Sequence, residues 1–146
     1  MELNFRSICP LSSALDIVGD KWSLLIIRDM IYLKKRTFKE FSQSREKIAT
    51  NILSSRLKLL ENVKLIYKQK SPYNKKINLY LLTEKGIRLT PTITELILWS
   101  EENIDEYHPN MNSIKDQILK ISKSEFDKKL ERDYRKIVQE NPPLSF

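Results

Sequence analysis

The chain is poor in the residues that most catalytic centres need. It has one histidine, one cysteine and two glycines in 146 residues. One histidine and one cysteine cannot build a zinc cluster, and two isolated glycines cannot make a phosphate-binding loop. The carboxylates are scattered over helical surfaces without a catalytic pairing. Neither a metal nor a cofactor is expected, and an enzyme is not the expected reading. A lone cysteine makes no intrachain disulfide, and no stretch approaches the roughly 18 apolar residues of a membrane helix. The N-terminus MELNFRSICPL also lacks the apolar run of a signal peptide. These absences point to the cytoplasm and to no membrane partner. Scarce glycine with frequent Ile, Leu and Lys favours a mostly helical protein over a β-sandwich.

The charge that is present is unevenly placed. The net charge is +7, but residues 1–100 carry +9 and residues 101–146 carry −2. A basic excess suits an anionic partner, although charge alone is also a generic device for solubility.

The organising stretch is Thr37 to Glu61. Thr37 and Glu40 have the spacing of a capping box, so a short helix starts there, with Phe38 and Phe41 inward. SQSREK makes a polar turn. Ile48, Ile52, Leu53, Leu57 and Leu60 then recur at helical spacing. On a plot at about 100° per residue, Thr50, Asn51, Ser54, Ser55 and Lys58 fall on the opposite arc. Short hydrogen-bonding side chains near a helix start suit base edges and phosphates in a DNA major groove. Arg56 falls on the apolar arc, where a guanidinium needs a carboxylate; Asp29 and Glu40 are the candidate partners.

Before this unit, Pro10 to Val18 predicts a first helix with Leu11, Ala14, Leu15 and Val18 as its apolar stripe and Gly19 as its stop. Asp20 caps a second helix, about Lys21 to Tyr32, apolar almost all round and therefore central to the core. After the unit, KLIYKQK and KINLYLL predict a hairpin with a turn at Pro72 to Asn74. Residues 64–76 hold five lysines and no acid. Beside a recognition helix this hairpin is a wing, with Lys70, Lys75 and Lys76 as phosphate contacts; the same lysines also guard an edge strand. Thr83 caps a long helix reaching about Tyr107, kinked by Pro91, whose apolar face has little left to pack on in a small domain. Ser113 and Ser124 look like caps of two further helices, about 114–122 and 125–139. The last residues, NPPLSF, read as a frayed end.

In order along the chain stand Cys9, Gly19-Asp20-Lys21-Trp22, the segment EKIATNILSSRLKLLE, the lysine-rich hairpin, Leu82-Thr83-Glu84-Lys85-Gly86, Pro91 and Trp99. This ordered set, over roughly residues 5–105, resembles the HxlR-type winged helix-turn-helix regulators, bacterial relatives of the MarR-like repressors. The resemblance implies a mostly α fold with a small β-hairpin wing and terminal dimerisation helices. It also implies a homodimer on double-stranded DNA at a near-palindromic operator. The expected division is 1–108 for the HxlR-type domain and 109–146 for a C-terminal helical extension, which completes the dimer, covers a ligand pocket or packs on the domain. Ala49 stands where many members carry Ser and offers no capping oxygen, leaving the first amides of the recognition helix for a phosphate.

Some members of that family sense oxidants or electrophiles through an N-terminal cysteine at the place of Cys9. The resemblance therefore makes Cys9 a candidate redox sensor and a small-molecule or electrophile effector a candidate partner. A thiol at a helix start also favours reactivity, whereas a free cysteine is commonly a small buried core residue. The alternative of another class is a winged-helix protein–protein interaction module without DNA binding, against which the lysine-rich wing speaks.

Overall fold

The computed structural model describes residues 2–142. These residues form eight α-helices and one two-stranded antiparallel sheet. Helix α1 is Pro10–Val18, as its proline and apolar spacing predict, and its N-cap is Cys9. Gly19 closes it in a right-handed conformation (φ −82°), so this stop does not use the left-handed freedom of glycine. Helix α2 is Ser23–Leu33. It begins two residues later than expected, yet Asp20 still serves its start, its carboxylate accepting from the amides of Trp22 and Ser23. Ile26, Ile27, Met30 and Ile31 of α2 are buried, and the helix is the middle of the core.

Helix α3, Phe38–Ser42, opens on the capping box of Thr37 and Glu40, with both reciprocal hydrogen bonds made. Helix α4, Thr50–Asn62, buries Leu53, Leu57 and Leu60 against it and the core. Strands β1 (Ile66–Lys70) and β2 (Asn78–Leu82) pair with Ile66 opposite Leu82 and Lys70 opposite Asn78. The loop between them is shaped by Asn74, whose side chain accepts from the Lys76 amide and whose carbonyl accepts from the Ile77 amide.

The expected long helix from Thr83 to Tyr107 is broken. Helix α5 is only Glu84–Ile87, capped by the Thr83 hydroxyl, and a new helix, α6, runs Thr90–Asn103. Pro91 does not kink a continuous helix. It sits in the first turn of α6, where its missing N–H has no intrahelical partner to lose. A 3-10 turn, Asp105–Tyr107, follows. Gly86 is required for a steric reason: a Cβ there would stand 2.2 Å from the carbonyl oxygen of Leu65, so α5 lies directly on the root of the wing.

The extension forms α7 (Lys115–Leu119) and α8 (Lys123–Glu140). Neither expected cap is used. Helix α7 has Ile114 at its N-cap without a side-chain cap. Helix α8 is capped by Ser122, not Ser124, in a left-handed conformation (φ 85°). Of the three roles considered for the extension, the structure shows packing on its own domain. Tyr134 of α8 is fully buried in the main core. Its hydroxyl accepts from the Leu82 amide at 3.0 Å, and burial pushes the phenol up to about 12. Buried Asp127 accepts from the Thr94 hydroxyl and pairs with Lys123 at 2.8 Å. Helix α6 therefore does find partners within the chain, in α2 and α8, contrary to the expectation that it has little to pack on. The segment NPPLSF, expected as a frayed end, lies outside the described residues from Pro143 onward.

Candidate nucleic-acid interface

The second helix of the helix-turn-helix presents one face outward. Thr50, Asn51, Ser54, Ser55 and Lys58 are all exposed, while the intervening Leu53 and Leu57 are buried. The alternation follows from the 3.6-residue period. Asn51, Ser54, Ser55 and Lys58 also share the wall of a shallow depression of about 570 Å³ on the surface of α4. The first turn of α4 has no side-chain cap at Ala49, as the alanine there predicts. Helix N-termini with uncapped amides favour anions.

Arg56 departs from its expected place. It is neither buried nor paired with Asp29 or Glu40. Glu40 is engaged in the capping box, and the carboxylate of Asp29 is held by Arg28 and Lys35. Arg56 lies instead on the wall of the depression beside Ser55, with a long ion pair of 3.7 Å to Asp20. A stem lying between the two arcs lets the guanidinium emerge at the surface, which an arc plot based on Cα positions does not capture.

The wing stands after the recognition helix in sequence and projects exposed Lys68, Lys70, Lys75 and Lys76. Among the described residues, Lys58, Lys70, Lys75 and Lys76 form no ion pair. Tyr73 at the wing tip is 97% exposed. The turn before α4 adds two exposed cations that sequence reasoning passed over as polar filler, Arg45 and Lys47, the latter in a left-handed conformation (φ 57°). Their signal was available: both lie within the four residues that precede Ala49 and the recognition helix.

The turn is anchored from below. Glu46 accepts from Arg28 at 2.5 Å. That guanidinium also holds buried Asp29 at 2.7 Å. The hydrogen bond from Arg28 keeps the Glu46 carboxyl below the usual carboxylate range. Asp20 is likewise lowered, although burial raises it, because the Ser23 hydroxyl and the Trp22 and Ser23 amides donate to it.

Cys9 is exposed, so the buried-core reading does not hold. Helix α1 itself buries none of its residues; Ile8, Leu11 and Leu15 are exposed. Trp22 packs at the edge of the core, whereas Trp99 is 55% exposed on α6. The described residues contain no cluster of potential metal ligands and no helix long and apolar enough to cross a membrane.

A recognition helix seated in a helix-turn-helix and followed by a basic hairpin defines a winged helix-turn-helix transcription regulator. The profile of the HxlR-like helix-turn-helix family matches residues 17–108, and the chain belongs to that family. It is 33% identical over 98 residues to the HTH-type transcriptional regulator YodB of Bacillus subtilis (strain 168), covering 66% of this chain and 87% of that one. It is 38% identical over 101 residues to YdeP of the same organism, a regulator named as HTH-type, covering 66% and 75%. Among solved structures, the redox regulator HypR in its reduced form superposes with a TM-score of 0.58 at 25% identity, over 69% of this chain and 99% of that one. The reduced form of YodB superposes with a TM-score of 0.54 at 28% identity, over 73% and 100%.

Proposed function

We propose that the protein works as a homodimer on a near-palindromic double-stranded operator. In this reading Thr50, Asn51, Ser54, Ser55 and Lys58 read bases in the major groove, and Lys70, Lys75 and Lys76 hold phosphates. The observation that carries it is the outward face of α4. Five short or cationic side chains are exposed together there, next to a wing whose lysines form no ion pair among the described residues. An interaction module without DNA binding accounts for the lysines as edge guards but not for the short polar set beside them.

The dimer is supported by α1. A nine-residue helix is marginal in isolation, and α1 packs only Ile17 and Val18 partly against its own core; a second subunit over the exposed Ile8, Leu11 and Leu15 supplies further burial. Two-fold symmetry then sets the half-site centres about 10 bp or a multiple apart. Cys9, exposed at the start of α1, is the redox-sensing residue in this reading, and with one thiol per chain any disulfide joins two subunits. The relatives support it by what they are: YodB has been solved in quinone-bound and diamide-treated forms. The regulator acts in the cytoplasm and catalyses no reaction. The extension 109–146 is an addition to the family unit 1–108.

Sedimentation at micromolar concentration, with footprinting on genomic fragments selected by the protein, tests the whole. A dimer protecting two related half-sites is expected. A monomer, or protection without sequence preference, refutes the reading.

A further inference from the structure

A groove of about 770 Å³ runs between α2 and α6 and is also lined by His108, Met111, Asn112 and Ile114, where the domain passes into the extension. Leu24, Leu33, Leu96, Ile97 and Met111 make its walls largely apolar. Two charged side chains among its lining differ sharply in how they are satisfied. Arg28 is paired with two carboxylates, donating twice to Asp29 and twice to Glu46. Glu101 is only half satisfied. Its Oε1 accepts from the Ile114 amide at 2.7 Å, but its Oε2 is buried and, among the described residues, has no hydrogen-bond partner. No cation among those residues pairs with Glu101; nearby Lys115 pairs with Glu102.

A buried carboxylate oxygen without a donor is unfavourable, and a protonated amine supplies both the donor and the opposite charge. The apolar walls suit a hydrocarbon body of the size such a groove holds. An anionic amphiphile meets Glu101, while the Arg28 guanidinium in the lining is already paired with Asp29 and Glu46. We infer that this groove is an effector site for lipophilic amines, with Glu101 as the charge anchor.

The site has a route to the DNA face. Arg28 lines the groove and holds Glu46 in the turn that leads into α4. A ligand that shifts Arg28 therefore moves the approach to the recognition helix. This output rests on the DNA-binding reading; the binding itself does not.

The test is calorimetric titration of the full chain with decylamine, decanol and decanoate, each below its micelle concentration. Decylamine is expected to bind about tenfold or more tightly than decanol, as one charge-assisted hydrogen bond allows, and decanoate more weakly than either. E101Q is expected to lose that preference while keeping the decanol affinity, and L96W, which fills the groove from its exposed rim, to lose both ligands. Melting curves confirm that each variant is folded; if E101Q is not, L96W and the ligand order decide. Equal binding of amine and alcohol, or no binding, overturns the inference. So does amine binding that occurs only as the dimer dissociates, since the groove is then a subunit interface. DNA titrations with and without decylamine judge the route. Amine binding with unchanged DNA affinity removes the coupling and leaves the site. Amine binding by a chain that never binds DNA refutes the regulator reading alone.

Discussion

The amide of Leu82, the last residue of β2, donates to the hydroxyl of Tyr134, 52 residues further along, at 3.0 Å. Both residues are fully buried. The wing is thus fastened at its root to the C-terminal helix, and the fastening is extended by Tyr67, whose hydroxyl donates to the carbonyl of Asn141, and by Arg135 paired with Glu84.

Tyr134→Phe leaves the Leu82 amide buried without its acceptor. The expected loss is about 1–3 kcal/mol of unfolding free energy, measured by urea denaturation near neutral pH. The alkaline limb gives a second signature. The phenol ionises at about 12 in the folded protein against its ordinary 10.0, so the unfolded chain loses this proton first and the wild type loses stability as pH rises from 10 towards 12. The Phe variant lacks that increment and should decline less steeply.

Reading and holding separate by mutation. Asn51→Ala should cost roughly 1–3 kcal/mol on the operator and little on random DNA. Lys75→Ala should weaken both DNAs alike and lower the magnitude of the salt slope by about one unit. Titrations at several salt concentrations decide; equal losses on both DNAs for Asn51→Ala would show that it does not read bases.

Arg56→Ala should melt close to the wild type. Its ion pair with Asp20 is long and partly exposed, which is worth at most about 1 kcal/mol, and Asp20 keeps the amides of Trp22 and Ser23. DNA affinity should fall, because the guanidinium lies on the outward wall beside Ser55. A large drop in melting temperature with unchanged DNA binding would return Arg56 to a purely structural role.

Acid should loosen the turn before α4. The Glu46 carboxyl is lowered by its hydrogen bond from Arg28, so its contribution is present above the ordinary value of 4.5 and disappears as pH falls through the depressed one. Glu46→Gln should show a shallower loss of stability on acidification below about pH 5, followed by circular dichroism. An acid limb identical to the wild type's would detach Glu46 from it.

Diamide or a quinone should change operator affinity in the wild type and leave Cys9→Ser unaffected. Non-reducing electrophoresis should show the oxidised wild type as a covalent dimer, since each chain has one thiol. Equal responses of the two proteins would exclude Cys9 as the sensor.

Local signals were legible in the sequence and long-range ones were not. Pro10 to Val18, the Thr37–Glu40 box and the two halves of the hairpin are each specified by neighbours within a few residues, and the structure has them. The outward set on α4 was legible because helical period alone sorts those side chains. Arg56 was misplaced because its direction depends on where a flexible stem finds room. The partners of Asp29, namely Arg28 and Lys35, depend on tertiary packing that spacing does not reveal. Ser122 has the Ser-x-x-Glu spacing of a capping box with Glu125, but the overlapping Ser124-x-x-Asp127 pattern offers the same signal two residues on, and spacing does not choose between them. The Glu101 oxygen had no signal at all, since its isolation is a property of the assembled groove.

The Leu82–Tyr134 hydrogen bond also sets an order of events during synthesis. The wing and its lysines are complete when residue 82 is made, but the acceptor for the Leu82 amide arrives 52 residues later. At about 5–20 residues per second this is an interval on the order of 3–10 s. Over that interval the nascent chain carries a basic hairpin whose root is unsealed. The last helix supplies only that acceptor, so a chain cut before residue 134 keeps all its DNA-facing residues and the wing's pairing to Arg36 and Leu65, but leaves the Leu82 amide without its Tyr134 partner.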